Sequence, residues 1–144
     1  MISRRPGDRA RSQLGRTRFR QVEWVSETGS TNADLMARAH EAGVDGTVRV
    51  ADFQNAGRGR RGRTWVTEPS AALMVSVLVR PGPLGLRPPQ LGRLTMALGV
   101  GAAEACGELF GVDVGLKWPN DLVPRPDDRK LAGILAESAA GPTA

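Results

Sequence analysis

Apolar and polar positions change rhythm several times along this chain, and each change marks an element. Val22, Trp24 and Ser26 alternate with Gln21, Glu23 and Val25, the period-2 pattern of a short strand. The alternation gives way to Thr28-Gly29-Ser30-Thr31-Asn32, a run of turn and cap residues, after which Leu35, Met36 and Ala39 recur at helical spacing. Thr31 and Asp34 fit a capping box, with Ser30 as the other candidate cap, and the helix is expected to end near Gly43, ahead of an Asp45-Gly46 turn. Thr47 to Phe53 reads as a second strand. Ala72 to Arg80 holds Leu73, Met74, Val75, Val77, Leu78 and Val79, a nearly continuous apolar run suited to a strand buried on both faces. Prolines and glycines from Pro81 to Pro89 predict a surface loop. Leu91, Leu94, Leu98, Ala102, Ala105 and Leu109 then predict the clearest helix, with Gly111 as its stop. Gly99, Gly101 and Gly107 lower its intrinsic propensity, so it is expected to lie close against a sheet. From Val112 the chain reads as extended, through Val114 to Trp118, and meets the breaker Pro119-Asn120-Asp121. Leu122-Val123 and Lys130 to Ala136 are expected to pair as a hairpin, with Asp127-Asp128 near the connection.

Composition narrows the classes. At 144 residues the chain has a single-domain length, enough to bury roughly two thirds of the surface its unfolded form exposes. Cys106 is the only cysteine and His40 the only histidine, so no internal disulfide, zinc site or Ser/His/Asp triad finds support, and no metal is assigned to protein side chains. No apolar run reaches the ~20 residues of a membrane span, and a cytoplasmic location is expected. The net charge of +5 is unevenly placed: residues 1–20 carry seven arginines against Asp8, leaving the rest nearly neutral. These residues are expected to form a disordered basic leader, residues 21–138 the folded body, and residues 139–144 a fraying end.

The chemistry concentrates in Gln54-Asn55-Ala56-Gly57-Arg58-Gly59-Arg60-Arg61-Gly62-Arg63-Thr64-Trp65, where four arginines are interleaved with three glycines. Glycine leaves backbone N–H groups accessible to an anion, and arginine adds planar charged forks. The string Gly57-x-Gly59-x-x-Gly62 also matches a dinucleotide fingerprint, but no helix start follows it, so that reading is set aside. Lys117, between Leu116 and Trp118 at a strand end, is expected to be partly desolvated and to need an anionic partner; pairing with Asp121 or reaching solvent are the alternatives. Ser30-Thr31-Asn32 is either an ordinary helix cap or a hydrogen-bonding site for a small polar ligand.

Four motifs occur in one order: Gly29-Ser30-Thr31-Asn32, the Gln54 to Trp65 segment, Lys117-Trp118-Pro119-Asn120-Asp121, and Lys130-Leu131-Ala132-Gly133-Ile134-Leu135. Over roughly residues 22–138 the chain resembles the first part of the catalytic domain of a biotin protein ligase. The resemblance implies an α+β fold, a mixed sheet flanked by helices as in class II aminoacyl-tRNA synthetases, incomplete at its C-terminus. It implies activation of biotin by ATP and Mg2+ to biotinoyl-5′-AMP, then acyl transfer to a lysine of the biotin carboxyl carrier domain of a biotin-dependent carboxylase. By position, Ser30, Thr31, Asn32 and Gln54 resemble groups around the biotin ureido ring, and Gly57, Arg58, Gly59 and Arg60 the loop closing over biotin and the adenylate. Lys117 resembles the lysine contacting the biotin carboxylate and α-phosphate, and with Arg58 and Arg60 it is the expected catalytic cation. Arg63, Trp65 and Asn120 fall on the nucleotide side, and Leu131 and Gly133 on the biotin pocket wall.

The expected chemistry suits these residues, because a carboxylate attacking ATP brings two anions together and needs positioned cations more than an acid or base. No winged helix precedes the body, so specific DNA binding is not expected; a homodimer is possible, and lipoate ligase is a near relative in fold. The family continues beyond the point where this chain stops. A non-catalytic remnant that binds biotin or a partner is therefore the alternative, and a nucleic-acid module using the arginine segments a weaker one.

Overall fold

The computed structural model describes residues 6–127 and 129–139. Residues 1–5 of the leader, Asp128, and residues 140–144 of the expected fraying end lie outside the described residues. The chain divides into two compact units, Met1–Arg80 with Glu137–Ala144, and Pro81–Ala136.

In the first unit, β1 (Gln21–Thr28) runs parallel to β2 (Thr47–Gln54), and β2 is antiparallel to β3 (Met74–Val77). A parallel pair needs a crossover, and helix α2 (Thr31–Ala37) lies in it. Register pairs Thr28 with Gln54 and Ala51 with Met74. The core comprises Val22, Leu35, Val44, Val50, Ala51 and Met74, all buried. The apolar run around β3 departs from expectation: Leu73 is 69% and Val75 46% exposed, so this strand is covered on one face only.

Two local expectations also need correction. The cap of α2 is Ser30, whose Oγ accepts from the Ala33 N–H, whereas Thr31 is the first helical residue. Asp34 closes no capping box; it accepts from Thr28 Oγ1 and pairs with Arg49 at 3.0 Å. The helix ends at Ala37 rather than near Gly43, where tight i→i+3 bonds from Arg38 and Ala39 replace the helical ladder. Arg49 and Arg38 both reach Glu23, and the bonds of Arg38 to Glu23 and then Glu41 raise its pKa above the usual arginine value.

Part of the leader is ordered, contrary to its composition. Helix α1 (Pro6–Ser12) packs on β1, with Gly7 buried against Trp24 and Arg11 Nε donating to the Val22 carbonyl at 3.1 Å. Arg11 also pairs with Asp8, and Arg18 with Asp45.

In the second unit, α3 (Gly92–Phe110) ends on Gly111, whose φ of 67° is the left-handed stop that glycine supplies. β4 (Val114–Lys117) and β5 (Asp121–Pro124) form an antiparallel hairpin, and β6 (Ala132–Gly133) adds to β5. The expected pairing is there, but β6 is two residues long. Gly99 is the glycine that brings α3 close: a Cβ there would lie 3.3 Å from Leu116 Cδ2, whereas one at Gly101 would meet nothing within 4 Å. The apolar stripe of α3 is incompletely covered, with Leu98 42% and Leu109 72% exposed.

Candidate functional site

The end of β2 and the start of α2 bring three predicted residues, Gln54, Thr31 and Asn32, into one hydrogen-bonded chain with Ser76. Gln54 Oε1 accepts from the Thr31 N–H at 2.7 Å, and the single Thr31 hydroxyl proton can go either to Gln54 Oε1 at 2.9 Å or to Ser76 Oγ at 2.8 Å. Ser76 Oγ in turn donates to Asn32 Oδ1. Ser30, Thr31 and Ser76 are buried, so these polar groups are oriented by one another in a water-poor setting. Gln54 Nε2 donates to Met74 Sδ at 3.5 Å. Ser76 was missed by motif reasoning. Its one signal was a hydroxyl interrupting the apolar run from Leu73 to Val79.

The arginine loop leaves β2 and folds back on itself as a tight hairpin. Trp65 N–H donates to the Gly57 carbonyl at 2.9 Å, Arg58 bridges Thr64, and Gly59 N–H donates to the Arg63 carbonyl at 2.6 Å. Gly57 is required here: a Cβ would fall 2.5 Å from the Trp65 carbonyl oxygen. At the tip, Arg61 and Gly62 both take left-handed conformations, φ 56° and 71°. The loop places Arg58, Arg60, Arg61 and Arg63 at exposed positions, with Trp65 half-buried. Arg58 Nη2 reaches Glu137 Oε2 at 2.9 Å, and the same oxygen accepts from Asn32 Nδ2 at 2.9 Å. Glu137 therefore joins the loop to the Thr31–Gln54 cluster, a connection that motif order did not reveal.

The remaining predicted residues belong to the second unit. Lys117 ends β4 opposite Asp121 in the register, yet Asp121 pairs with Lys130, Nζ to Oδ1 at 2.7 Å. Lys117 and its neighbours Leu116 and Trp118 are exposed, so the expected desolvation is not present; among the described residues Lys117 has no ion-pair partner. The reason is geometric: the hairpin ends at Lys117, Trp118 is 84% exposed, and Leu116, though it meets α3 at Gly99, remains 52% exposed. Asn120 is fixed by its Nδ2 donating to the Ile134 carbonyl at 2.9 Å, with Ile134 N–H donating back to the Asn120 carbonyl at 2.8 Å. Leu131 N–H donates to the Leu122 carbonyl. Gly133 pairs with Asp121 and leaves room for the Lys130 ammonium, from which a Cβ would be 2.8 Å.

No group of three or more His, Cys, Asp or Glu side chains among the described residues is arranged to hold a metal. Among those residues no helix is long and apolar enough to cross a membrane.

Residues 26–144 match the family model described as the biotin/lipoate A/B protein ligase family. The chain belongs to that family. It is 45% identical over 125 residues to the biotin-[acetyl-CoA-carboxylase] ligase of Mycobacterium tuberculosis, an alignment covering 84% of this chain and 46% of that protein. Identity to the bifunctional ligase/repressor BirA of Escherichia coli is 38% over 128 residues, covering 89% of this chain and 38% of BirA. The fold is that of biotin protein ligases: the Aquifex aeolicus enzyme solved with biotin and ATP superposes with a TM-score of 0.69 at 33% identity, covering 84% of this chain and 48% of the other. As a member of the family, the chain thus spans less than half the length of these relatives.

Proposed function

We propose that this chain carries the biotin-activating part of a biotin protein ligase. The observation that carries the reading is the prearranged Gln54–Thr31–Ser76–Asn32 chain beside a cationic hairpin loop. Biotin has an apolar body and one polar ring end, which suits a few fixed hydrogen-bonding groups flanked by aliphatic strands. Thr31, Asn32 and Gln54 are the groups for the ureido end, with Ser30 fixing the local backbone.

In the proposed reaction a biotin carboxylate oxygen attacks the α-phosphorus of ATP, the bond to the bridging oxygen breaks, and pyrophosphate departs with its electron pair. A lysine amine of a carrier domain then attacks the acyl carbon, the acyl–oxygen bond breaks, and AMP leaves as the amine loses its proton. By the family resemblance, Arg58, Arg60 and Lys117 are the cations of this transfer, which needs positive charge more than acid–base catalysis. Arg63, Trp65 and Asn120 are assigned to the nucleotide, and Leu131 and Gly133 to the wall beside biotin. Magnesium, which neutralises ATP's phosphates when bound, has no carboxylate cage among the described residues and would enter with the nucleotide. The exposed loop hairpin can shield the mixed anhydride from water when it closes on ligand.

Isothermal calorimetry on the folded chain with biotin, with and without MgATP, tests this. Binding strengthened by MgATP, together with pyrophosphate release, supports an adenylation site. Binding without pyrophosphate release assigns the chain the non-catalytic binding role, and a folded chain that binds no biotin defeats the proposal. A nucleic-acid role has less support, since Arg11 and Arg18 are engaged by groups of the chain itself.

A further inference from the structure

Glu137 belongs to none of the roles assigned above, yet its carboxylate sits on two groups proposed to face the ligand. Oε2 accepts from both Asn32 Nδ2 and Arg58 Nη2 at 2.9 Å. The pair is neither buried nor free: the Arg58 side chain is 45% and that of Glu137 27% exposed. Ion pairs in such a setting are weak and easily exchanged. The contact therefore holds the loop against Asn32 without locking it.

We propose that Glu137 is an internal anion on Arg58, and that a ligand's carboxylate or phosphate binds by taking its place. The inference rests on the biotin-ligase reading of this site. Its physical content is an exchange of one carboxylate for another on the same guanidinium. A neutral ligand gains nothing from displacing Glu137, because Arg58 would lose a partner. A free small anion must displace it without help. A ligand anchored through Thr31 and Gln54 presents its carboxylate at high local concentration and completes the exchange. Glu137 thereby sets the cost that an anionic ligand, but not a neutral one, meets at Arg58.

The test is Glu137→Gln in the full chain, which keeps an acceptor for Asn32 while removing the charge, with Glu137→Asp as the charge-retaining comparison. In the ligand-free protein, tryptic cleavage between Arg58 and Arg63 should be several-fold faster for Glu137→Gln than for wild type. In calorimetry, biotin should bind about two- to fivefold tighter to Glu137→Gln, the range expected from releasing an exposed pair, while uncharged biotinamide should not change. Glu137→Asp should preserve the wild-type ratio of biotin to biotinamide affinity. Unchanged cleavage, or equal shifts for the two ligands, overturns the exchange while leaving the biotin reading standing. A wild-type chain that binds neither ligand overturns both.

Discussion

In the first unit the candidate binding groups are bonded to one another, Gln54 to Thr31 through the Thr31 N–H, Thr31 to Ser76, and Ser76 to Asn32. In the second, Lys117 stands exposed at the end of β4, placed by backbone pairing alone, while the nearest carboxylate in the register is taken by Lys130. Recognition groups wired into a buried network are part of the fold. A cation on an exposed hairpin end contributes little to the fold and is available to chemistry. Substitutions in the first unit should therefore move stability and binding together, and those at Lys117 should separate them.

The largest effect is expected at Lys117. Lys117→Ala should lower the rate of biotinoyl-adenylate formation by about a hundredfold or more, the loss typical of removing one transition-state charge partner, with thermal unfolding unchanged. Pyrophosphate release and calorimetric scanning check the two halves; a comparable loss of stability would break the contrast.

Next comes the loop hairpin. Gly57→Ala sets a Cβ 2.5 Å from the Trp65 carbonyl oxygen, so the loop must shift, at a cost of about 1–3 kcal/mol. Urea unfolding and biotin titration should both worsen, whereas an unchanged titration would separate the loop from the site. Thr31→Val removes the buried hydroxyl between Gln54 and Ser76 while keeping its shape. It should destabilise the chain by about 1–3 kcal/mol, since its partners are left short of a bond, and weaken biotin binding in parallel. Stability lost without any loss of binding would show this network to be purely structural.

Arg60→Ala tests the loop's covering role. Biotinoyl-AMP should escape several-fold faster, measured as adenylate in filtrate during turnover, with little change in stability because Arg60 is exposed. The smallest effect is expected for Arg49→Gln, which removes two partly exposed pairs, to Glu23 and Asp34. Unfolding should shift by about 1 kcal/mol or less.

Much of this arrangement is legible in the amino-acid order. Period-2 alternation located β1, the apolar spacing from Leu91 to Leu109 located α3, and Gly111 marked its end, because these depend on local periodicity and on a φ that glycine adopts freely. The order of the Ser30–Asn32, Gln54–Trp65, Lys117–Asp121 and Lys130–Leu135 motifs carried the family, and the matching family model covers all four.

Tertiary structure decided the rest. The two-sided burial expected of β3 failed at Val75, because burial depends on what is packed against a strand and not on the strand's own residues. The leader helix α1 formed despite a composition typical of disorder, because Gly7 and Arg11 find a surface on β1 supplied by Trp24 and the Val22 carbonyl. Lys117 lost Asp121 to Lys130, and Arg58 gained Glu137 from a position 79 residues away. Which carboxylate a cation meets is a question of distance in space. Local sequence sets which elements can form and which charges are present, and only folding sets which of those charges become neighbours.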